Sequence, residues 1–302
     1  MFLYIKLWGD IMIRSEAVAG QFYEGSFDGL DKQIRNCFEG KLGPAALPTG
    51  KRKGRIFGAI VPHAGYEFSG QAAAWAYKAI AEAEQPDLFV IVGVNHRGIG
   101  KEIALSLADF STPLGIVKND KEFAKAIIKK AKANNKIDIQ DEKAHIFEHS
   151  IEVQLPFLLF TTKNLKFVPI IISNYSYGLC EMLAKTIADV AKQLRKKICL
   201  IASSDFTHYG YSYGFIPFSE NVKENLYKLD DGAIDKIKDL DAKSFIDYAQ
   251  NTTICGAGAI ATAIETCKAL GSKKAELLKY YTSGDIVKDY SSAVGYAAII
   301  FK

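Results

Sequence analysis

The chain has 302 residues, 49% of them hydrophobic and 24% charged, with a formal net charge of +4 at pH 7. That balance belongs to an ordinary globular protein with enough apolar material for a sizeable core and no need of covalent staples. The small positive excess is interrupted by apolar residues in the lysine-rich stretches 51–55, 121–136 and 192–197, so these read as solvated faces, and no nucleic-acid partner is expected.

The five cysteines (Cys37, Cys180, Cys199, Cys255 and Cys267) form no C-x-x-C pair. Widely spaced and odd in number, they fit free thiols in a reducing, cytoplasmic compartment better than a disulfide framework or a zinc knuckle. Residues 1–13 are apolar but contain Lys6 and Asp10, are too short to span a bilayer and lack the basic start of a secretory signal. No membrane partner is expected. A second methionine, Met12, precedes the segment 13–20, so residues 1–11 are expected to be a non-native or disordered extension and residues 12–302 a single domain.

In chain order, residues 40–54 carry two prolines and four glycines and read as a loop. Residues 55–62 read as a buried strand, 70–83 as an alanine-rich helix and 88–94 as a second buried strand. A helix is expected over 118–134, a strand over 166–172, a helix over 178–196 and a strand over 198–202. Helices follow at about 221–229, 242–250 and 256–270, and strands at 277–282 and 293–301. Strands alternating with helices imply an α/β fold, with a central, mostly parallel sheet flanked by helices on both faces.

Ligands of such sheets collect beyond the carboxyl ends of the strands. Three of the five histidines fall there. His63 follows the first strand in PHAGY, His96 follows the second in GVNHRG, and Asp205 and His208 follow the 198–202 strand in SSDFTHYG. Each motif contains glycine, which lets backbone close tightly around a bound atom. His145 is expected to be a surface loop residue, and His149 either a pocket wall or a helix cap. Cys255 precedes the 256–270 helix, with Thr252 or Thr253 available to cap it. A cysteine at a helix N-terminus has its thiolate favoured by the dipole, which suits a nucleophile or metal ligand. The other four cysteines read as small buried hydrophobes.

Together these segments resemble the Memo family, the B protein of the AmmeMemoRadiSam system. The resemblance runs from Arg14 nearly to the end of the chain. It includes AVAGQFY at 17–23, PHAGYEFSG at 62–70, GVNHRG at 93–98, TPLG at 112–115, EHSIEVQLPFL at 148–158, SSDFTHYG at 203–210, TICGAGAI at 253–260 and YYTSGD at 280–285. The family is similar in fold to class III extradiol dioxygenases, which hold non-haem Fe(II) with two histidines and a carboxylate. The resemblance implies metal ligands at His63, His96 and Cys255, an acid/base at His208, and Asp205 as an additional or alternative ligand.

Two imidazoles and a thiolate suit Fe(II), Cu or Zn, and three protein ligands leave open positions for chemistry. Tyr66, Tyr209 and Tyr211 can supply hydroxyls, Asn95 and His149 flank the expected pocket, and Arg97 beside His96 can receive an anionic group. Three functions are compatible with these residues. One is a non-haem iron (or copper) oxidoreductase acting on a small molecule, with Fe(II) favoured. The others are a zinc-dependent hydrolase and a non-catalytic pocket for a peptide or metabolite. Substrate and oligomeric state are not legible in the sequence.

Overall fold

In the sequence, 88–94, 166–172 and 198–203 are continuous apolar runs, as strands covered on both faces must be. The computed structural model describes residues 5–8, 11–50, 52–173 and 175–302, and these runs form the centre of its sheet. Strands β1 (Ile5–Trp8), β2 (Ile11–Arg14), β3 (Gly58–Val61) and β4 (Leu88–Val94) are interleaved with helices α1 (Phe27–Glu39) and α2 (Tyr66–Ala81). Then come β5 (Ile103–Leu105), β6 (Asp109–Thr112), β7 (Gly115–Asn119), α3 (Lys121–Asn135), α4 (Leu155–Thr161), β8 (Lys166–Ile172), α5 (Tyr177–Gln193) and β9 (Ile198–Ser203). The last third holds β10 (His208–Gly210), α6 (Val222–Lys238), α7 (Ala242–Ala249), α8 (Ala257–Leu270), β11 (Ala275–Thr282), α9 (Ser283–Val287) and β12 (Ser292–Phe301).

The strand order is β1-β2-β6-β7-β8-β4-β9-β3-β12-β10, with β11 beside β12 and β5 beside β8. The centre, β7-β8-β4-β9-β3, is parallel, and antiparallel strands finish both edges. Side chains alternate between two cores as the period of two requires. Leu88, Val90 and Val92 of β4 join α3, α5, α7 and α8. Phe89 and Ile91 join α1, α2 and α4 on the other face. The expected single α/β domain, with a large, mostly parallel mixed sheet between helical layers, is what the chain forms. None of the described helices is long and apolar enough to cross a membrane.

The differences from expectation are local. The 118–134 helix begins at Lys121, because Asp120 caps it by accepting the Phe123 N–H at 3.0 Å. Lys118 and Asn119 belong to β7 instead. The helix expected to stop at 229 runs to Lys238 through Gly232. A Cβ at 232 would lie 2.2 Å from the Tyr248 hydroxyl, so this glycine permits α6 to approach α7 rather than ending a helix. Helix α1 and the β6–β7 hairpin around the TPLG motif were not expected. The extension expected over residues 1–11 falls partly outside the described residues. Of those described, Ile5–Trp8 pairs antiparallel with Ile11–Arg14, which joins β6 in parallel.

Candidate functional site: a histidine cluster at the sheet's carboxyl edge

Strands β3, β4 and β9 all point their carboxyl ends at one cavity of about 510 Å³. His63, His96, Asp205 and His208 line it, as the strand-end rule suggests, and so does His149. The side-chain nitrogens of His63, His96 and His149 lie within 4.8 Å of one another. Their rings are close: His96 stacks on His149 at 4.7 Å, and the buried His63 ring meets both edge-on at 5.1 and 5.5 Å.

Each ring is held by its Nδ1. For His63 the partner is Ser203 Oγ at 3.0 Å. Ser203 gives its one hydroxyl proton to the Ser150 carbonyl at 2.5 Å and accepts from Gln154 Nε2 at 2.8 Å. It can therefore only accept from His63, which places the imidazole proton on Nδ1 and a lone pair on Nε2. Gln154 is itself fixed by Tyr77, whose hydroxyl donates to Gln154 Oε1 at 2.6 Å.

A single buried carboxylate organises the other two rings. Glu148 Oε2 accepts the His96 backbone N–H at 2.7 Å, and its Oε1 accepts His96 Nδ1 at 2.9 Å. Oε1 also accepts the backbone N–H groups of His149 at 2.9 Å and Ser150 at 2.8 Å, and lies 3.4 Å from His149 Nδ1. Burial opposes ionisation of Glu148, but the bonds from His96 and Ser150 outweigh it and hold the carboxyl down at about 2. His96 and His149 are thus left with Nε2 free, the arrangement by which carboxylates orient metal-binding histidines. Burial, reinforced by neighbouring imidazoles, pushes His63 well below the usual histidine range and His149 down to about 3. Neutral imidazole is the form that binds metal.

The loop carrying Glu148 and His149 is anchored from the far end of the chain. Arg14, 1% exposed, donates to the carbonyls of His145 (2.9 Å) and Glu148 (2.5 Å) and pairs with Glu152. Glu152 also accepts from the backbone N–H groups of Ala17 (2.8 Å) and Val18 (3.0 Å) and from the Tyr23 hydroxyl (2.6 Å). This ties AVAGQFY to EHSIE and lays Phe22 against His149, ring centroids 4.6 Å apart.

Asp205 Oδ1 accepts the backbone N–H groups of His63 (2.7 Å) and Ala64 (3.3 Å), and burial raises its pKa despite the favourable field of His208. His208 directs Nδ1 at the Thr253 carbonyl (3.1 Å), and Thr253 Oγ1 accepts its backbone N–H at 2.8 Å. Nδ1 must donate there, so a lone pair on this ring can lie only on Nε2.

Several expectations require correction. Thr253 braces His208, and Thr252 bonds the Ala249 carbonyl; neither caps α8, whose N-cap is Gly256 without a side-chain bond. A Cβ at 256 would sit 2.4 Å from Ser204 Cβ, so this glycine lets the start of α8 press against the end of β9. Cys255 reaches His63, with Sγ 3.1 Å from Nε2, but His149 rather than Cys255 completes the close group. Burial, then the Asp205 charge, raises the Cys255 thiol and opposes the pull of the helix dipole. The other four cysteines are free and buried.

Tyr66 and Tyr209 lie outside the lining: their hydroxyls bond the Val153 and Phe218 carbonyls at 2.6 and 2.7 Å. Asn95 donates to the Ile99 carbonyl of its own loop and to Ser173 Oγ just past β8, Arg97 turns outward to the Phe147 carbonyl, and Tyr211 is exposed. His145 is not at the surface. It is buried, directs Nε2 at the Ala104 carbonyl at 3.0 Å, and burial lowers it to about 4. Glu148, Glu152 and Ser203 were missed as site-forming residues. The signal for the two glutamates was their setting in the apolar run EHSIEVQLPFL, where a carboxylate that is buried must be paired.

Comparison with known proteins agrees with the motifs. The family described as Memo-like protein matches residues 14–300. A MEMO1 family protein of Methanopyrus kandleri is 41% identical over 296 residues, covering 96% of this chain and 99% of its own. Others, from Nitrosopumilus maritimus and Thermococcus onnurineus, are 40% and 39% identical, each covering 96% of this chain and 100% of the relative. Among solved structures, an uncharacterized protein from Escherichia coli K12 superposes with a TM-score of 0.53 at 12% identity, covering 82% of this chain and all of that one, a likeness of fold. With eight motifs in one order and relatives matched end to end, the chain belongs to the Memo family.

Proposed function

We propose that this protein binds a divalent metal ion through Nε2 of His63, His96 and His149, and that the bound ion serves an oxidoreductase reaction on a small molecule. The observation that carries the reading is the cluster itself: three imidazoles within 4.8 Å facing one cavity, each with Nδ1 turned to a protein oxygen. Neutral nitrogen donors suit Fe(II), Cu and Zn, and the likeness to non-haem iron enzymes favours Fe(II). When bound, the ion would supply Lewis acidity and, as iron or copper, electron transfer.

The chain's own residues do the rest. Ser203 and Glu148 orient the rings. His208, with Nδ1 engaged by the Thr253 carbonyl, takes or returns a proton at Nε2, and Asp205 steadies its charged form. Cys255 Sγ lies 3.1 Å from His63 Nε2, so His63 would have to give up that contact to hold an ion, and Cys255 would compete with His149 for the third position. A second reading, a zinc-dependent hydrolase, is favoured by the all-imidazole donor set, which matches catalytic zinc.

Metal analysis of protein purified anaerobically without chelator tests this, with His63→Ala, His149→Ala and Cys255→Ala beside it. Near-stoichiometric iron, lost in His63→Ala and weakened more by His149→Ala than by Cys255→Ala, is the expected result. Zinc moves the function to the hydrolase. No metal, and none taken up on adding Fe(II), overturns the reading and makes the cavity a simple binding pocket.

A further inference from the structure

The YYTSGD motif is not used by the histidine cluster, yet it builds the opposite wall of the same cavity. Thr282 and Asp285 close a reciprocal cap on the short helix α9. The Asp285 carboxylate is then held from behind by the hydroxyls of Tyr227 (2.6 Å) and Tyr290 (2.5 Å) and by Lys223 Nζ (2.9 Å). Ser283 Oγ accepts the Val294 N–H at 2.9 Å, fastening α9 to β12. The polar side of this assembly is consumed by internal bonds. Its other side gives the cavity Val287, Val294 and Tyr296, joined by Phe68 and Tyr213, with the small Ser283 and Ser292 as the uncharged polar residues of this wall.

Charge is distributed just as unevenly. Among the described residues, no lysine or arginine lines the cavity, and Asp205 is its one acidic group. The nearby cations are committed elsewhere, Lys223 to Asp285 and Arg97 to the Phe147 carbonyl. Val287 is 52% exposed and Tyr213 is 44% exposed, so apolar surface continues to the mouth where water would otherwise favour polar side chains.

We infer that the cavity takes a two-part small molecule: an oxygen-bearing, chelating head at the histidines and an uncharged, apolar body against Phe68, Tyr213, Val287, Val294 and Tyr296. The head follows from the metal reading above, on which this part rests; the body follows from the wall alone. A second anionic group has no cation to meet it there, and desolvating it against that wall is unfavourable.

Straight-chain alkyl hydroxamates, from acetohydroxamate to heptanohydroxamate, test the inference on cobalt-loaded protein. Affinity is expected to rise about fourfold per methylene until the chain leaves the wall. A hydroxamate of equal length ending in carboxylate should bind at least tenfold more weakly than its methyl-ended counterpart. Val287→Lys should shrink or reverse that penalty. Affinity independent of chain length, or tighter binding of the carboxylate-ended compound to the unmodified protein, overturns the inference. If no cobalt is taken up, the metal reading has failed, and the wall is tested separately on metal-free protein. Hexanamide is then expected to shift the methyl resonances of Val287 and Val294 where adipic acid monoamide does not. Equal shifts, or none from either, overturn it.

Discussion

Replacing Glu148 by glutamine keeps shape and volume and removes only charge and two-sided acceptance, so its consequences can be worked out atom by atom. Oε2 takes one N–H, from His96, and Oε1 takes three, from His96 Nδ1, His149 and Ser150. An amide in either orientation turns its NH₂ toward at least one buried N–H. Leaving one buried donor unsatisfied costs about 1–3 kcal/mol, and the remaining bonds lose charge assistance, which roughly halves their strength. A loss of about 3 kcal/mol is therefore expected for metal-free Glu148→Gln, measured by guanidinium unfolding at pH 7.

The same substitution has an acid signature. The folded carboxyl sits at about 2 instead of 4.5, so the folded state binds fewer protons across that interval than the unfolded chain. This stability is present above the unfolded value and is lost as pH falls from about 4.5 toward 2; it amounts to about 3 kcal/mol. Glu148→Gln should lack that part of the acid dependence. Because the two rings lose their common anchor, cobalt affinity should fall about 10- to 100-fold. Stability within about 0.5 kcal/mol of the parent, with an unchanged acid limb and unchanged cobalt affinity, would refute the assignment of Glu148 as the organiser.

Two further outcomes follow from buried acids. Glu152→Gln strands the buried Arg14 cation and should cost about 3–5 kcal/mol in the same unfolding assay, and Arg14→Met with Glu152→Leu should recover little of that loss, because the donors of Ala17, Val18 and Tyr23 then lack their acceptor. Asp230, fully buried, is raised to about 6 by burial despite accepting from Thr207 and Tyr280 at 2.5 Å. Its folded pKa lies above the unfolded one, so stability should fall by about 3 kcal/mol as pH rises from about 4 to 6. Asp230→Asn should flatten that segment of a stability–pH profile, and an identical profile would exclude Asp230 as its source.

What could be read from the sequence divides along the range of the interactions. Buried parallel strands are apolar throughout, so 88–94 and 166–172 were legible to the residue. Strand-end chemistry then located His63, His96, Asp205 and His208. His149 was ambiguous because it belongs to no strand end. Its position depends on Glu148, Glu152 and Arg14, partners that no local pattern connects. Cys255 shows a competition between two local effects: the start of a helix favours thiolate, and burial beside Asp205 opposes it. For Tyr66 and Tyr209 the motif suggested a hydroxyl facing the pocket, and tertiary packing turned each toward a backbone carbonyl.

The clasp between Arg14 and the 145–152 loop has a consequence for how the site comes into being. Its bonds join residues 131 to 138 positions apart, and closing so long a loop carries an entropic cost, as does the pairing of β3 with β9 across a similar length of chain. His63 is fixed from within the sheet, by Ser203 at the end of β9. His149 and its carboxylate depend in addition on the docked amino-terminal arm. Opening of that arm need not disturb the sheet, so His149 can be withdrawn and the Glu148 bond to His96 loosened while His63, held by Ser203, stays in place. Amide exchange at Ala17 and Val18, whose N–H groups end on Glu152, would report that opening directly.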